Sequence, residues 1–223
     1  MLYVMDLDDT LYLEADYVRS GFSHIDAWLR QDRGIHGFFE KAWGFFQDGV
    51  RGTIFDAALS GLGVHSREMV DLLVKLYRAH SPDISLEPDA LAFLKAVSPE
   101  ELALVTDGPS VSQWAKIQAL GLGEYFEKII VTSDLGEGYS KPHTRAFLEA
   151  QGKRSPGECV YVGDNPAKDF AGPKRLCWRP SIRIRRERSL HQGVETPQGC
   201  REIRSLSEIQ QSQEGRCPRK AQP

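Results

Sequence analysis

The chain has 223 residues, 41% of them hydrophobic and 26% charged, with a formal net charge of -3. That length and composition suit one generous domain or two small ones around a buried core, and exclude a mainly disordered chain, a collagen and a disulfide miniprotein. The pI of about 6.1 gives no overall attraction to nucleic acid or an acidic membrane, and no apolar run approaches the roughly 20 residues of a spanning helix.

Residues 2 to 5 read as a buried strand running straight into Asp6-Leu7-Asp8-Asp9-Thr10. This start lacks the basic, longer apolar stretch of a signal peptide. The four cysteines, Cys159, Cys177, Cys200 and Cys217, are widely spaced, with no Cys-x-x-Cys pair. They suit reduced structural thiols, so a cytoplasmic location is expected. From residue 14 to 81 the periodicity is helical. Val18, Phe22, Ile25 and Leu29 recur on one face, as do Met69, Leu72, Leu73 and Leu76 after a cap at Ser66. Between them lie the aromatics Phe38, Phe39, Trp43, Phe45 and Phe46 and the segment Ile54 to Leu62. Three or four helices are predicted, with these aromatics in their core. Arg51, between Gly49 and Gly52, is the one residue here singled out for a substrate anion, a solvated loop arginine being the simpler alternative.

From Leu86 onward helices and strands alternate. Helices are predicted over Pro88 to Val97, Val111 to Leu120 and Thr144 to Ala150. Strands are predicted over 102–105, 128–131 and 159–162, at Ile182 and Ile184, and starting at Glu202-Ile203. The alternation implies a parallel sheet covered on both faces. The expected fold class is therefore α/β: a three-layer, Rossmann-like core with a small all-α bundle inserted after the first strand. The expected domains are residues 1–13 and 86–207 for the core and 14–85 for a helical insert, with 208–223 as a polar, flexible tail. Arg183, Arg185, Arg186 and Arg188 alternate with Ile182 and Ile184 and read as a strand with one solvated basic face. His143 reads as a turn residue; none of the six histidines forms an i, i+4 metal pair.

The strands end in polar groups: Asp6 and Asp8 after the first, Thr106-Asp107-Gly108 after the second, a loop with Lys141-Pro142 after the third, Gly163-Asp164 after the fourth, and Asp169 five positions on. In a parallel sheet these converge on one edge, where ligands bind. Carboxylates gathered beside one lysine are costly unless a cation and an anion neutralise them. Oxygen donors favour magnesium, and the anion suited to magnesium, a lysine and free amides is a phosphoryl group.

These four groups, in this order, resemble the motifs of the haloacid dehalogenase (HAD) superfamily over residues 1 to about 185, and the helical insert resembles the cap of the subfamily carrying a small bundle there. The resemblance implies a magnesium-dependent phosphatase acting on a small phosphate monoester of the nucleoside monophosphate, sugar phosphate or phosphoglycolate class. It implies that Asp6 is the nucleophile forming an aspartyl-phosphate, and that Asp8 is the general acid and base. Thr106, with the amides of Asp107 and Gly108, would bind the phosphoryl oxygens, and Lys141 would hold its charge. Magnesium would sit on Asp6, the main-chain carbonyl of Asp8 and Asp164. Asp169 would orient Lys141 or a metal-bound water, and Thr10 would steady the first loop. An acid at Asp8 favours esters over haloacids, since an alkoxide leaving group needs a proton and a halide does not. The expected partner is thus a small-molecule ester, with no nucleic acid and no membrane; the oligomeric state has no signature. A phosphomutase acting on a sugar phosphate is the alternative. A silent binding protein, a dehalogenase and a Schiff-base enzyme using Lys41 or Lys75 rank lower.

Overall fold

The computed structural model describes residues 1–209; the tail expected from 208 lies outside them except for Glu208 and Ile209, and Ile209 is buried. The chain forms two compact units. The first comprises Met1–Glu14, Ser85–Gly108 and the chain from Gly121 onward; the second comprises Ala15–Ile84 and Pro109–Leu120.

The first unit is built on a six-stranded sheet whose pairings are all parallel. Its strands are β1 (Leu2–Met5), β2 (Leu102–Thr106), β3 (Lys128–Val131), β4 (Cys159–Gly163), β5 (Ile182–Ile184) and β6 (Arg201–Ile203), in the order β3-β2-β1-β4-β5-β6. β1 lies inside the sheet, with Tyr3 opposite Leu102 on one side and Val160 on the other. β1, β2 and β4 are buried at every position, which explains their unbroken apolar character: with both faces covered there is no wet side to mark by alternation. On one face Leu2, Val4, Ala103, Val105 and Ile130 share a core with Ala146, Phe147 and Ala150 of the helix Arg145–Gln151. On the other face Tyr3 meets Phe93 of the helix Pro88–Ala96 edge-on, with ring centroids 5.4 Å apart. These are the three expected layers.

The second unit holds helices Glu14–Arg33, Phe38–Gln47, Ile54–Gly61 and Arg67–Ala79. Their seams are aromatic: Phe22 meets Phe38 and Phe55, and Phe38 stacks on Phe55. Asp26, buried in the first of these helices, accepts the amides of Phe38 and Phe39 and so caps the second through a side chain 12 residues away. Ser66 caps the fourth by accepting from the Met69 amide. The helix Ser110–Ala119 belongs to this unit too: its Ser112 hydroxyl donates to the Arg78 carbonyl, and its Lys116 ammonium lies 4.3 Å from the Tyr17 ring centroid. Arg51 is exposed and turns back on its own loop, donating to the Phe46 and Val50 carbonyls.

The basic run after β4 departs from expectation. β5 is flanked by β4 and β6 and is buried at all three residues, so Arg183 is fully enclosed rather than solvated. Its guanidinium donates to the carbonyls of Asp164, Val194 and His191 and to the Thr196 hydroxyl. Arg186 is also buried; it clamps the Thr10 carbonyl with two donors, 2.9 and 2.7 Å, and pairs with Asp89 at 2.9 Å. Only Arg188 of the run is fully exposed, with Arg185 intermediate. Alternation identifies a wet face only where a wet face exists; here loop carbonyls replace water. Arg183→Met strands those carbonyls and is expected to cost about 3 kcal/mol, whereas Arg188→Met shifts stability by no more than about 0.5 kcal/mol; urea denaturation of the two proteins checks both.

Candidate active site

Apart from Arg51, which lies in the second unit, the residues assigned to the site from the sequence lie in the first unit, at the carboxyl ends of the strands or in the segments that follow them. β1 delivers Asp6, whose amide donates to the Val162 carbonyl and is thereby fixed beside β4. Thr106 closes β2 and is fully buried. The loop after β3 brings in Lys141, and β4 ends at Gly163, just before Asp164.

Lys141 is the hub. Its ammonium donates to Asp6 at 2.7 Å, to Asp169 at 2.8 Å and to the Tyr161 hydroxyl at 3.0 Å, and all four side chains are buried. Three acceptors match the three donors of an ammonium. Burial alone would pull the lysine down; Asp169 and Asp6 outweigh it and hold it well above the ordinary range. Asp169 also accepts from the Tyr161 hydroxyl and the Asn165 amide. Gly163 leaves room for this: a Cβ there would stand 2.4 Å from an Asp169 carboxylate oxygen. The Asp107 carboxylate accepts from the Thr132 hydroxyl and from the main-chain amide of Lys141. It therefore sets the loop that carries the lysine, a contribution additional to its amide.

The first-strand loop is equally constrained. Asp8 is half-buried, and the Tyr12 hydroxyl donates to it. Asp9 has a left-handed backbone, φ 52°, and its buried carboxylate accepts from the Glu14 and Leu190 amides. The Thr10 hydroxyl has no hydrogen-bond partner among the described residues; its main chain is what Arg186 holds. Gly108 adopts φ 146°, a conformation costly for a residue with a Cβ. Sequence reading passed over Tyr12, Tyr161, the Asp9 side chain and His191. Of these only Tyr12 left a local signal, four residues after Asp8; the others are set by long-range contacts.

Asp6, Asp8, Asp107, Lys141, Asp164 and His191 line a cavity of about 140 Å³. A larger one, about 410 Å³, beside Phe170, Trp178 and Pro197, is lined by no carboxylate. One carboxylate oxygen from each of Asp6, Asp164 and Asp169 lies within 4.8 Å of the others. Burial, with repulsion from Asp6 and Asp169, pushes Asp164 up to about 10. Burial raises Asp6 to about 7 despite Lys141, and Asp9 to about 6. A buried, all-oxygen donor set strained toward its neutral form fits a small divalent cation.

A family model for haloacid dehalogenase-like hydrolases matches residues 1–176. The glyceraldehyde 3-phosphate phosphatase of Methanocaldococcus jannaschii is 30% identical over 194 residues, 78% of this chain and 80% of that protein. The phosphoserine phosphatase of Thermus thermophilus is 33% identical over 161 residues, 69% of this chain and 61% of that protein. The fold is shared with the magnesium-bound HAD-hydrolase YfnB of Bacillus subtilis, at a TM-score of 0.65 and 20% identity over 95% of this chain and 97% of that one.

The raised carboxyls make stability depend on pH. Between the ordinary value of 3.8 and their folded values, Asp6, Asp9 and Asp164 keep protons in the fold that they lose on unfolding. The folded state binds more protons there, so stability falls as pH rises. In chelator the melting temperature is expected to decline from about pH 5 to about pH 9, and magnesium should flatten that decline; thermal unfolding across the pH series measures both.

Proposed function

The chain belongs to the haloacid dehalogenase-like hydrolases, and we propose that it is a magnesium-dependent phosphatase that hydrolyses a small phosphate monoester through an aspartyl-phosphate on Asp6. The observation that carries this reading is the pairing of a lysine-held carboxylate, Asp6, with a second one two residues on, Asp8, that has a hydroxyl donor of its own.

Asp6 attacks phosphorus, forming the new O–P bond as the ester O–P bond breaks, and Asp8 gives its proton to the departing alkoxide. Asp8, now a carboxylate, takes a proton from water as that water attacks the aspartyl-phosphate, releasing phosphate and restoring Asp6. Tyr12 steadies Asp8 in both forms, because burial and the neighbouring acid hold its phenol well above the ordinary range and keep its proton in place. Lys141, tied to Asp169 and Tyr161, keeps Asp6 aimed and offsets the phosphoryl charge. Thr106 and the amides of Asp107 and Gly108 receive the phosphoryl oxygens. Asp6, the Asp8 carbonyl and Asp164 would hold magnesium, which when bound supplies positive charge beside those oxygens.

The names of the two phosphatase relatives favour a compact substrate such as a triose phosphate or phosphoserine over a nucleotide. A proton donor at Asp8 favours an ester over a haloacid. Residues 1–13 and 86–207, apart from the helix Ser110–Ala119 that groups with the helical unit, would carry the chemistry, and 14–85 would serve as a helical cap.

The test is phosphate release from a panel of sugar phosphates, phosphoserine, phosphoglycolate and nucleotides, with magnesium and with chelator. Asp6→Asn is expected to abolish turnover and Asp8→Asn to lower kcat by roughly a thousandfold. Equal release by the wild-type and Asp6→Asn proteins on every ester would sink the proposal.

A further inference from the structure

We infer that His191 is a substrate-binding residue, presented to the cavity by a rigid wall that Arg183 and Arg186 build from the segment between β5 and β6. The inference rests on the phosphatase reading above and refines its specificity.

Two buried guanidiniums fix this wall, and they bind catalytic-loop backbone at the same time. Arg183 joins the His191 and Val194 carbonyls to that of Asp164. Arg186 joins the wall to the Thr10 carbonyl and to Asp89, which in turn receives the Leu206 amide and the Ser205 hydroxyl. A third tie comes from the first-strand loop: the Asp9 carboxylate takes the Leu190 amide at 2.7 Å. The crest of the wall is a turn in which the Val194 amide returns to the His191 carbonyl at 3.0 Å, and Arg188, three residues before it, has a left-handed φ of 68°. Burying two guanidiniums and straining a non-glycine residue is expensive unless the geometry they enforce is used.

That geometry places a single half-buried side chain, His191, on the same cavity as Asp6, Asp8 and Lys141. The Leu190 amide and the His191 carbonyl are held, by Asp9 and by Arg183 with the Val194 amide. The imidazole is not: among the described residues neither ring nitrogen has a hydrogen-bond partner. Burial holds its pKa below the ordinary histidine value, so at neutral pH the ring offers one donor and one acceptor. A leaving group with a hydroxyl or carbonyl oxygen meets both. Because the wall is stapled to the nucleophile loop and to Asp164, it does not yield to a bulky group; a cavity of about 140 Å³ with that side chain in place suits a compact ester.

Steady-state kinetics on glycerol 2-phosphate and on a nucleoside monophosphate test this with three proteins: wild type, His191→Ala and the neighbouring Gln192→Ala. His191→Ala is expected to raise KM for glycerol 2-phosphate about fivefold to tenfold with kcat changed less than about twofold. It should also raise kcat/KM for the nucleotide relative to the small ester, since the cavity has grown. Gln192→Ala should match wild type. His191→Gln, which keeps a donor, should recover part of the KM and serves if the alanine protein does not fold, as judged by urea denaturation. Unchanged KM values, or an equal loss on both esters, would overturn the inference while leaving the phosphatase reading standing. A wild-type protein silent on all esters would instead remove that reading, and this one with it.

Discussion

The structure turns on one buried cation. Lys141 stands where Asp6, Asp169 and Tyr161 meet, and without it three carboxylates would face one another in a dry site. Removing one partner from such a group leaves the others as uncompensated buried charge, which costs more than the pair contributes when intact. Much around it serves to hold that lysine: the Asp107 carboxylate fixes its main chain, Gly163 clears space for Asp169, and Asp169 is itself held by the Asn165 amide. The lysine is nevertheless outnumbered. Asp164 remains displaced to about 10, so it keeps its proton unless further positive charge takes that proton's place.

The sheet explains why these groups meet at all. Parallel strands point their carboxyl ends the same way, and β1 has β2 on one side and β4 on the other. Asp6 therefore emerges between the strand that leads to Asp107 and the strand that leads to Asp164. Chain connectivity brings in the lysine from the loop after β3, 135 residues from Asp6.

Much of this was legible in the sequence, for a physical reason. Strands buried on both faces must be apolar throughout, so β1, β2 and β4 declare themselves, and the polar residues that end those runs are the candidates for the site. Asp6, Thr106, Lys141 and Asp164 could be named because each follows such a run or the loop after one. Arg183 and Arg186 were misread for the same reason in reverse. Alternating arginine and isoleucine is the pattern of a half-wet strand, and nothing local reveals that β6 covers its far edge or that the partners are carbonyls at Thr10 and Asp164. Tyr161 reads only as one more residue of an apolar strand; its ring does pack on Phe147, but its hydroxyl serves Lys141. His191 carries no motif because its position is created by arginines and an aspartate distant in sequence.

The position of β1 has a consequence for how the molecule comes together. Tyr3 pairs with Leu102 and with Val160, so both neighbours of this strand lie roughly a hundred residues or more downstream. Contacts of such separation carry the loop-closure penalty that slows folding. The helices between Glu14 and Ala79 close short loops and are not delayed in this way. During synthesis the strand that leads to Asp6 leaves the ribosome before either of its partners, with its unpaired backbone and apolar side chains in need of cover until β4 has followed. That interval is when this chain is most exposed to association with other unfolded chains, and its length is set by the rate of translation rather than by any property of the finished site.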